Sequence, residues 1–179
     1  DNMYHAGWAW AGSTPYKGTK LVASHFGGTR QPMAVSWPAK IKSSDTPRSQ
    51  FHHVNDIVPT IYDVLSIKAP VQVNGFAQDV IDGTSLAYTF NDAGAKGRKA
   101  TQFFDIMGSR SIYHDGWIAS AFGPRIPWLP VTPGIATWTP DRDTWELYNL
   151  EEDFSQANDL ASKYPEKVAA MKEIGRAHV

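Results

Sequence analysis

The chain has 179 residues, of which 42% are hydrophobic and 20% charged, with a formal net charge of -1. That composition belongs to a globular protein, and the length is that of one domain able to bury a core. The near-neutral balance makes no electrostatic case for nucleic acid or an anionic membrane. With no cysteine, a disulfide framework, a thiolate zinc site, a CxxC redox pair and a cysteine nucleophile are all excluded within these residues. The compartment stays open, periplasmic or secreted on one side and cytoplasmic on the other.

In chain order, the opening DNMYHAGWAWAGSTPYKG has no basic segment followed by an apolar one, so it does not read as a signal peptide. It begins in mid-pattern, as expected of a chain cut from a longer protein or of a trimmed N-terminus. Residues 33–37, MAVSW, form an apolar run between Pro32 and Pro38, predicting a buried strand stopped at both ends. Next, NDIVPTIYDVLSI sets Ile57, Ile61, Val64 and Leu65 on one helical face, with Asn55 as N-cap and Pro59 in the first turn; this predicts a helix with one buried face. From Thr101 the period changes to two: TQFFDI, a Gly108-Ser109 turn, SIYH, the Asp115-Gly116 dipeptide and WIASAF predict a three-stranded antiparallel meander. Pro124, Pro127, Pro130, Pro133 and Pro140, among Trp128 and Trp138, then predict a long ordered loop. WELYNL resumes as a strand, and after Pro165 the residues Val168, Met171 and Lys172 mark a closing helix. No apolar run approaches the roughly 20 residues that span a bilayer.

Charge is unevenly spread. Between residues 11 and 48 Lys17, Lys20, Arg30, Lys40, Lys42 and Arg48 stand against Asp45 alone, whereas acids outnumber bases from 141 to 173. The front of the chain therefore suits an anionic ligand.

Four groups carry candidate chemistry, each with a plainer alternative. Lys17-Gly18-Thr19-Lys20 with Gly27-Gly28 could hold an oxyanion, since glycine lets backbone approach closely and lysine is a compact point charge; a solvated basic loop is the alternative. His52, His53 and Asp56 could begin a metal cluster, but adjacent histidines point apart and the dipole of the helix explains an aspartate in its first turn. Ser13-Thr14-Pro15 reads as a turn, and the absence of a G-x-S-x-G elbow argues against a serine hydrolase. Seven Trp, seven Tyr and eight Phe would serve a carbohydrate-binding module, or simply core packing.

The strings PYKGTKLVASHFGGTRQPMAVSWPAKI, FHHVNDIVPTIYDVLSI, NGFAQDVIDGTSLAYTF and WELYNLEEDFSQANDLA closely resemble the C-terminal portion of bacterial arylsulfatases of the sulfatase family. The match runs from about Gly7 to Ala170, and its sharpest element is K-x(6)-GGxRxP followed by the DIVPT helix. The resemblance implies an alkaline-phosphatase-like α/β sandwich, of which residues 1–93 would be the last part of the catalytic domain. Residues 94–173 would form a C-terminal subdomain with a smaller antiparallel sheet packed by the closing helix. Residues 174–179, IGRAHV, coincide with one reading frame of a widely used sequencing adapter and are set apart as a non-native tail, the alternative being an ordinary terminus.

In that family a lysine shortly before GG-x-R-x-P contacts the sulfate group and the bridging oxygen of the leaving group, and the matching position is Lys20. Lys17, which falls where related sequences vary, and His25 are the further substrate-binding candidates. His25 would be a hydrogen-bonding partner behind the site or a residue that satisfies backbone groups, Gly27 and Gly28 would shape the turn, and Arg30 would anchor it through a carboxylate. The family's nucleophile is a formylglycine made from Cys or Ser in C/S-x-P-S-R, and its calcium ion is held by paired aspartates and a later Asp-Asn pair. This chain has none of these: Ser13-Thr14-Pro15-Tyr16-Lys17 lacks the Ser-Arg ending, and Asn55-Asp56 belongs to the helix after the strand. The chain is thus expected to be a piece of a sulfuric ester hydrolase acting on a small-molecule sulfate ester. It would lack nucleophile and metal ligands, be inactive alone, and depend on a missing N-terminal part of the same protein. A phosphatase or phosphonate hydrolase of the same superfamily and a non-catalytic aromatic-rich binding module are the competing readings.

Overall fold

The computed structural model describes residues 4–124, 126, 129 and 131–177. In chain order its helices and strands are α1 (Ala6–Ser13), α2 (Phe26–Thr29), α3 (Ile57–Val64), β1 (Gln72–Val73), β2 (Phe76–Ala77), β3 (Thr101–Ile106), β4 (Ser109–His114), β5 (Trp117–Ala121), β6 (Trp145–Asn149) and α4 (Pro165–Arg176). They divide into two compact units, residues 1–32 with 101–179, and residues 33–100.

The first unit is built on an antiparallel sheet of order β3-β4-β5-β6. Its register sets Phe103 opposite Ile112, Ile112 opposite Ala119 and Ala119 opposite Leu147, so these four share one face. Met171 of α4 joins Ile112, Ala119 and Leu147 in the buried cluster there, with Val168, Tyr164 and Ile174 packed at its margin. Residues 174–176 thus continue the closing helix, and Gly175 is buried beside Phe103 and Ile112; His178 and Val179 lie outside the described residues. On the opposite face Tyr113, Ile118 and Tyr148 line up, and Phe26 closes over Ile118 and Tyr148. Both sheet faces are therefore covered.

The meander matches the alternating pattern of its sequence. Its first turn is centred on Met107-Gly108, one residue earlier than expected, because both take positive φ (53° and 86°) and Ser109 already pairs with Ile106. Asp115-Gly116 makes the second turn in the same conformation, which suits the twist of a hairpin. The proline-rich stretch contains two short 3-10 turns, Ile135–Thr137 and Pro140–Arg142. Arg110 fastens its end by pairing with Asp143 at 2.7 Å, while Trp138 Nε1 donates to the same carboxylate at 2.7 Å. Pro127, Trp128 and Pro130 lie outside the described residues.

The second unit departs from expectation three times. Residues 33–37 form no strand, and Met33 and Val35 are exposed. A strand needs a partner for its N–H and C=O groups, and the sheets of the described residues pair only β1 with β2 and β3 to β6 among themselves. The helix begins with a 3-10 turn, Val54–Asp56, capped by His53 and not Asn55. Asp56 closes a reciprocal capping box by accepting from the His53 N–H at 2.9 Å. The apolar face of α3 is not buried: Ile61 is 50% and Leu65 54% exposed. With Met33, Val35, Trp37, Leu86 and Phe90 these residues line an open apolar groove of about 370 Å³.

Candidate functional site

The loop that carries the basic residues lies on the Tyr148 face of the sheet. Val22, Ala23, Ser24, His25 and Phe26 are all buried, so their backbone groups need partners other than water. Small serines on β4 supply them. Ser109 Oγ accepts from the Ser24 N–H at 3.1 Å and Ser111 Oγ donates to the Ala23 carbonyl at 2.7 Å. Gln156, fully buried, accepts from the Phe26 N–H at 2.8 Å. The two glycines let the loop fold back on α2. A Cβ on Gly27 would run into the Lys17 and Gly18 carbonyls, and one on Gly28 into those of Thr19 and Val22.

Both ends of this loop meet side chains of β6. His25 Nε2 lies 2.8 Å from Glu146 Oε2, and since a carboxylate can only accept, the imidazole donates. Tyr148 Oη donates to the same oxygen at 2.5 Å and accepts from Lys17 Nζ at 2.9 Å. His25 Nδ1 is 2.8 Å from Ser24 Oγ. The His25 hydrogen bond is the main reason the Glu146 carboxyl is held down to about 2; burial opposes it, and the Tyr148 hydroxyl and the Lys17 charge assist. Burial first, and then the Glu146 carboxylate, push the Tyr148 phenol upward, so it stays a donor.

Lys20 stands apart from this network. It is exposed, has no hydrogen-bond or ion-pair partner among the described residues, and precedes Leu21, whose φ of 74° marks a sharp reversal of the chain. Lys17, His25 and the two glycines therefore build the loop, and Lys20 is presented at its apex. Arg30 does not meet a carboxylate among the described residues. Its guanidinium lies 5.1 Å from the Tyr16 ring centroid and 5.6 Å from that of Phe26, where two aromatic faces attract the cation. Sequence reasoning did not single out Glu146, Tyr148 or Gln156. The signal present was the alternation in WELYNL, which puts Glu146 and Tyr148 on one face.

His52 and Asp56 come together, but around a different task. Asp56 is fully buried and accepts from the Thr84 N–H (2.7 Å), the His53 N–H (2.9 Å), His52 Nδ1 (3.0 Å) and Lys99 Nζ (3.0 Å). Burial alone would raise its carboxyl; these donors outweigh it and the net shift is downward. The carboxylate holds the unit together, and no group of three His, Asp or Glu suited to a metal occurs among the described residues. Ser13 Oγ is used locally, donating to the Ala9 carbonyl at 3.0 Å. No helix of the described residues is long and apolar enough to cross a membrane.

No protein-family model matches the chain. Among solved structures it is similar to a sulfatase of Bacteroides thetaiotaomicron, described with a genetic locus for the metabolism of multiple glycosaminoglycans. That likeness has a TM-score of 0.62 and 19% identity, covering 87% of this chain and 30% of that one. It is also similar to yidJ of Bacteroides fragilis, assigned as a sulfatase, with a TM-score of 0.51 and 14% identity over 79% of this chain and 27% of that one. At these identities the likeness shows the fold, which is that of the C-terminal portion of sulfatases. The chain spans less than a third of the length of either structure.

Proposed function

We propose that this chain is the C-terminal part of an arylsulfatase-like hydrolase, which converts a sulfate ester and water to an alcohol or phenol and sulfate. The observation that carries the reading is the fold likeness over 87% of the chain, combined with a lysine loop in which one cation is left free. Lys17 is engaged with Tyr148, whereas Lys20 is unengaged and exposed. In this reading the Lys20 ammonium meets the sulfate group and the departing oxygen. Charge develops on that oxygen as the S–O bond breaks. At an effective dielectric near 20, a cation about 4 Å away is worth about 4 kcal/mol before desolvation.

Nucleophile and metal ligands would come from the rest of a longer protein. The described residues gather no carboxylate cluster that fits calcium, and the sequence has no cysteine and no C/S-x-P-S-R. The apolar groove beside α3 would be covered by that remainder, whose expected size follows from the 30% share of the similar sulfatase that this chain spans.

Recovering the coding sequence upstream and assaying the longer protein tests the reading. A C/S-x-P-S-R motif and preferential hydrolysis of 4-nitrophenyl sulfate over 4-nitrophenyl phosphate is the expected result. An unmodified Thr or Ser nucleophile with preference for the phosphate ester would replace sulfatase by phosphatase, and an unrelated upstream linker would replace it by a binding module.

A further inference from the structure

We infer that Glu146 and Tyr148 are positioning residues that clamp the Lys20 loop at both ends. This inference rests on the reading that Lys20 acts on the sulfate ester. The loop is tied to the sheet at Lys17, whose ammonium donates to Tyr148 Oη at 2.9 Å, and again at His25, whose imidazole donates to Glu146 Oε2 at 2.8 Å. The two sheet residues are themselves joined at 2.5 Å. A single hydrogen-bonded pair, two positions apart on one strand, therefore closes the loop whose apex is Lys20. Tyr148 is fully buried and cannot shift without disturbing Ile118 and Phe26 beside it.

The clamp answers a specific problem. Lys20 is exposed and unpartnered among the described residues, so nothing at its own side chain fixes where the ammonium sits. A long flexible lysine can be aimed only by fixing its backbone. Here that backbone is held by the Gly27 N–H donating to the Lys17 carbonyl at 2.8 Å, by the Val22 N–H donating to that of Thr19 at 3.1 Å, and by the two anchored ends. Displacing a catalytic group by about 1 Å can cost about 100-fold in rate, so a residue that never touches substrate can still control turnover.

Hydrogen exchange on the 179-residue chain reads the clamp whatever the chain's activity. Tyr148→Phe removes both hydroxyl bonds while keeping the ring in its cluster, and Glu146→Gln removes the charge while keeping the shape. The expected result is at least about tenfold faster exchange at the amides of Ser24, Phe26 and Gly27, with Ala119 and Leu147 in the sheet unchanged. No change at the loop amides, or an equal rise throughout the sheet, overturns the inference. In the longer protein, a double-mutant cycle separates positioning from general destabilisation. Glu146→Ala is expected to lower kcat for 4-nitrophenyl sulfate about 10- to 100-fold alone and about twofold or less when Lys20 is already alanine. Equal loss in both backgrounds overturns the positioning role. Loop exchange as expected, in a longer protein that does not turn over the sulfate ester, leaves the clamp supported and removes the sulfatase reading instead.

Discussion

The two units of the chain solve the problem of folding in opposite ways. In residues 4–32 with 101–177 the sheet has apolar residues on both faces and both are covered, by α4 on one side and by the loop through Phe26 on the other. In residues 33–100 Leu86 is the one buried apolar side chain among the described residues, while Ile57, Ile61, Leu65, Val71, Phe76 and Val80 are exposed. What orders this second unit is a buried carboxylate: Asp56 gathers donors from residues 52, 53, 84 and 99. One region is thus held by apolar burial on both sheet faces, with Ser24, Ser111 and Gln156 buried and hydrogen-bonded beside it, and the other by a polar hub with most of its apolar groups outward. These exposed apolar side chains and the groove beside α3 are what the proposed remainder of a longer protein would cover.

The largest expected effect breaks the hub. Asp56→Ala leaves Lys99 buried without its carboxylate, at a cost of about 3–5 kcal/mol, and urea unfolding followed by exchange at Thr84 and Leu86 should show the loss within residues 33–100. If sheet amides such as Ala119 open equally, the contrast between the units fails. Next in size, Ile112→Ala removes a fully buried side chain and should cost about 2–5 kcal/mol, whereas Ile61→Ala, half exposed, should cost less than about 1 kcal/mol; equal shifts in melting would show that the α3 face is packed after all.

Acid sharpens the contrast further. The Glu146 carboxyl in the folded chain lies below its ordinary value. Its contribution is therefore complete above that ordinary value and is lost as pH falls toward about 2. A carbon-detected titration should place its midpoint near 2, with loop amides losing protection below it; a midpoint at the ordinary glutamate value would mean that His25 and Tyr148 do not hold it. The smallest effect is expected from Ile61→Ser with Leu65→Ser, which should change stability by about 0.5 kcal/mol or less each. The pair should nevertheless lower binding of a hydrophobic dye and reduce self-association of the chain. Unchanged dye binding would contradict an exposed apolar face.

The elements legible in the sequence were those whose information is local. Asp115-Gly116 between alternating runs named its own hairpin, and Val168 and Met171 after Pro165 named α4. α1 was not legible, because AGWAWAGS lacks an apolar stripe at helical spacing. Asn74-Gly75 carried a hairpin signal that went unread, and both residues take positive φ between β1 and β2. Residues 33–37 read as a strand because their composition is that of one, but composition cannot supply a pairing strand. The site divided the same way. The loop with Lys17, Lys20, His25 and the two glycines stood in one stretch and was visible. Glu146 and Tyr148 stand 121 and 131 residues from their partners His25 and Lys17, a separation that only the folded sheet closes.

The account is tested most directly by steady-state hydrolysis of 4-nitrophenyl sulfate by the longer protein, wild type against Lys20→Ala. It predicts a fall in kcat of about 100-fold or more with a much smaller change in KM, because the ammonium is needed most when charge reaches the departing oxygen. An unchanged kcat in the variant would contradict it.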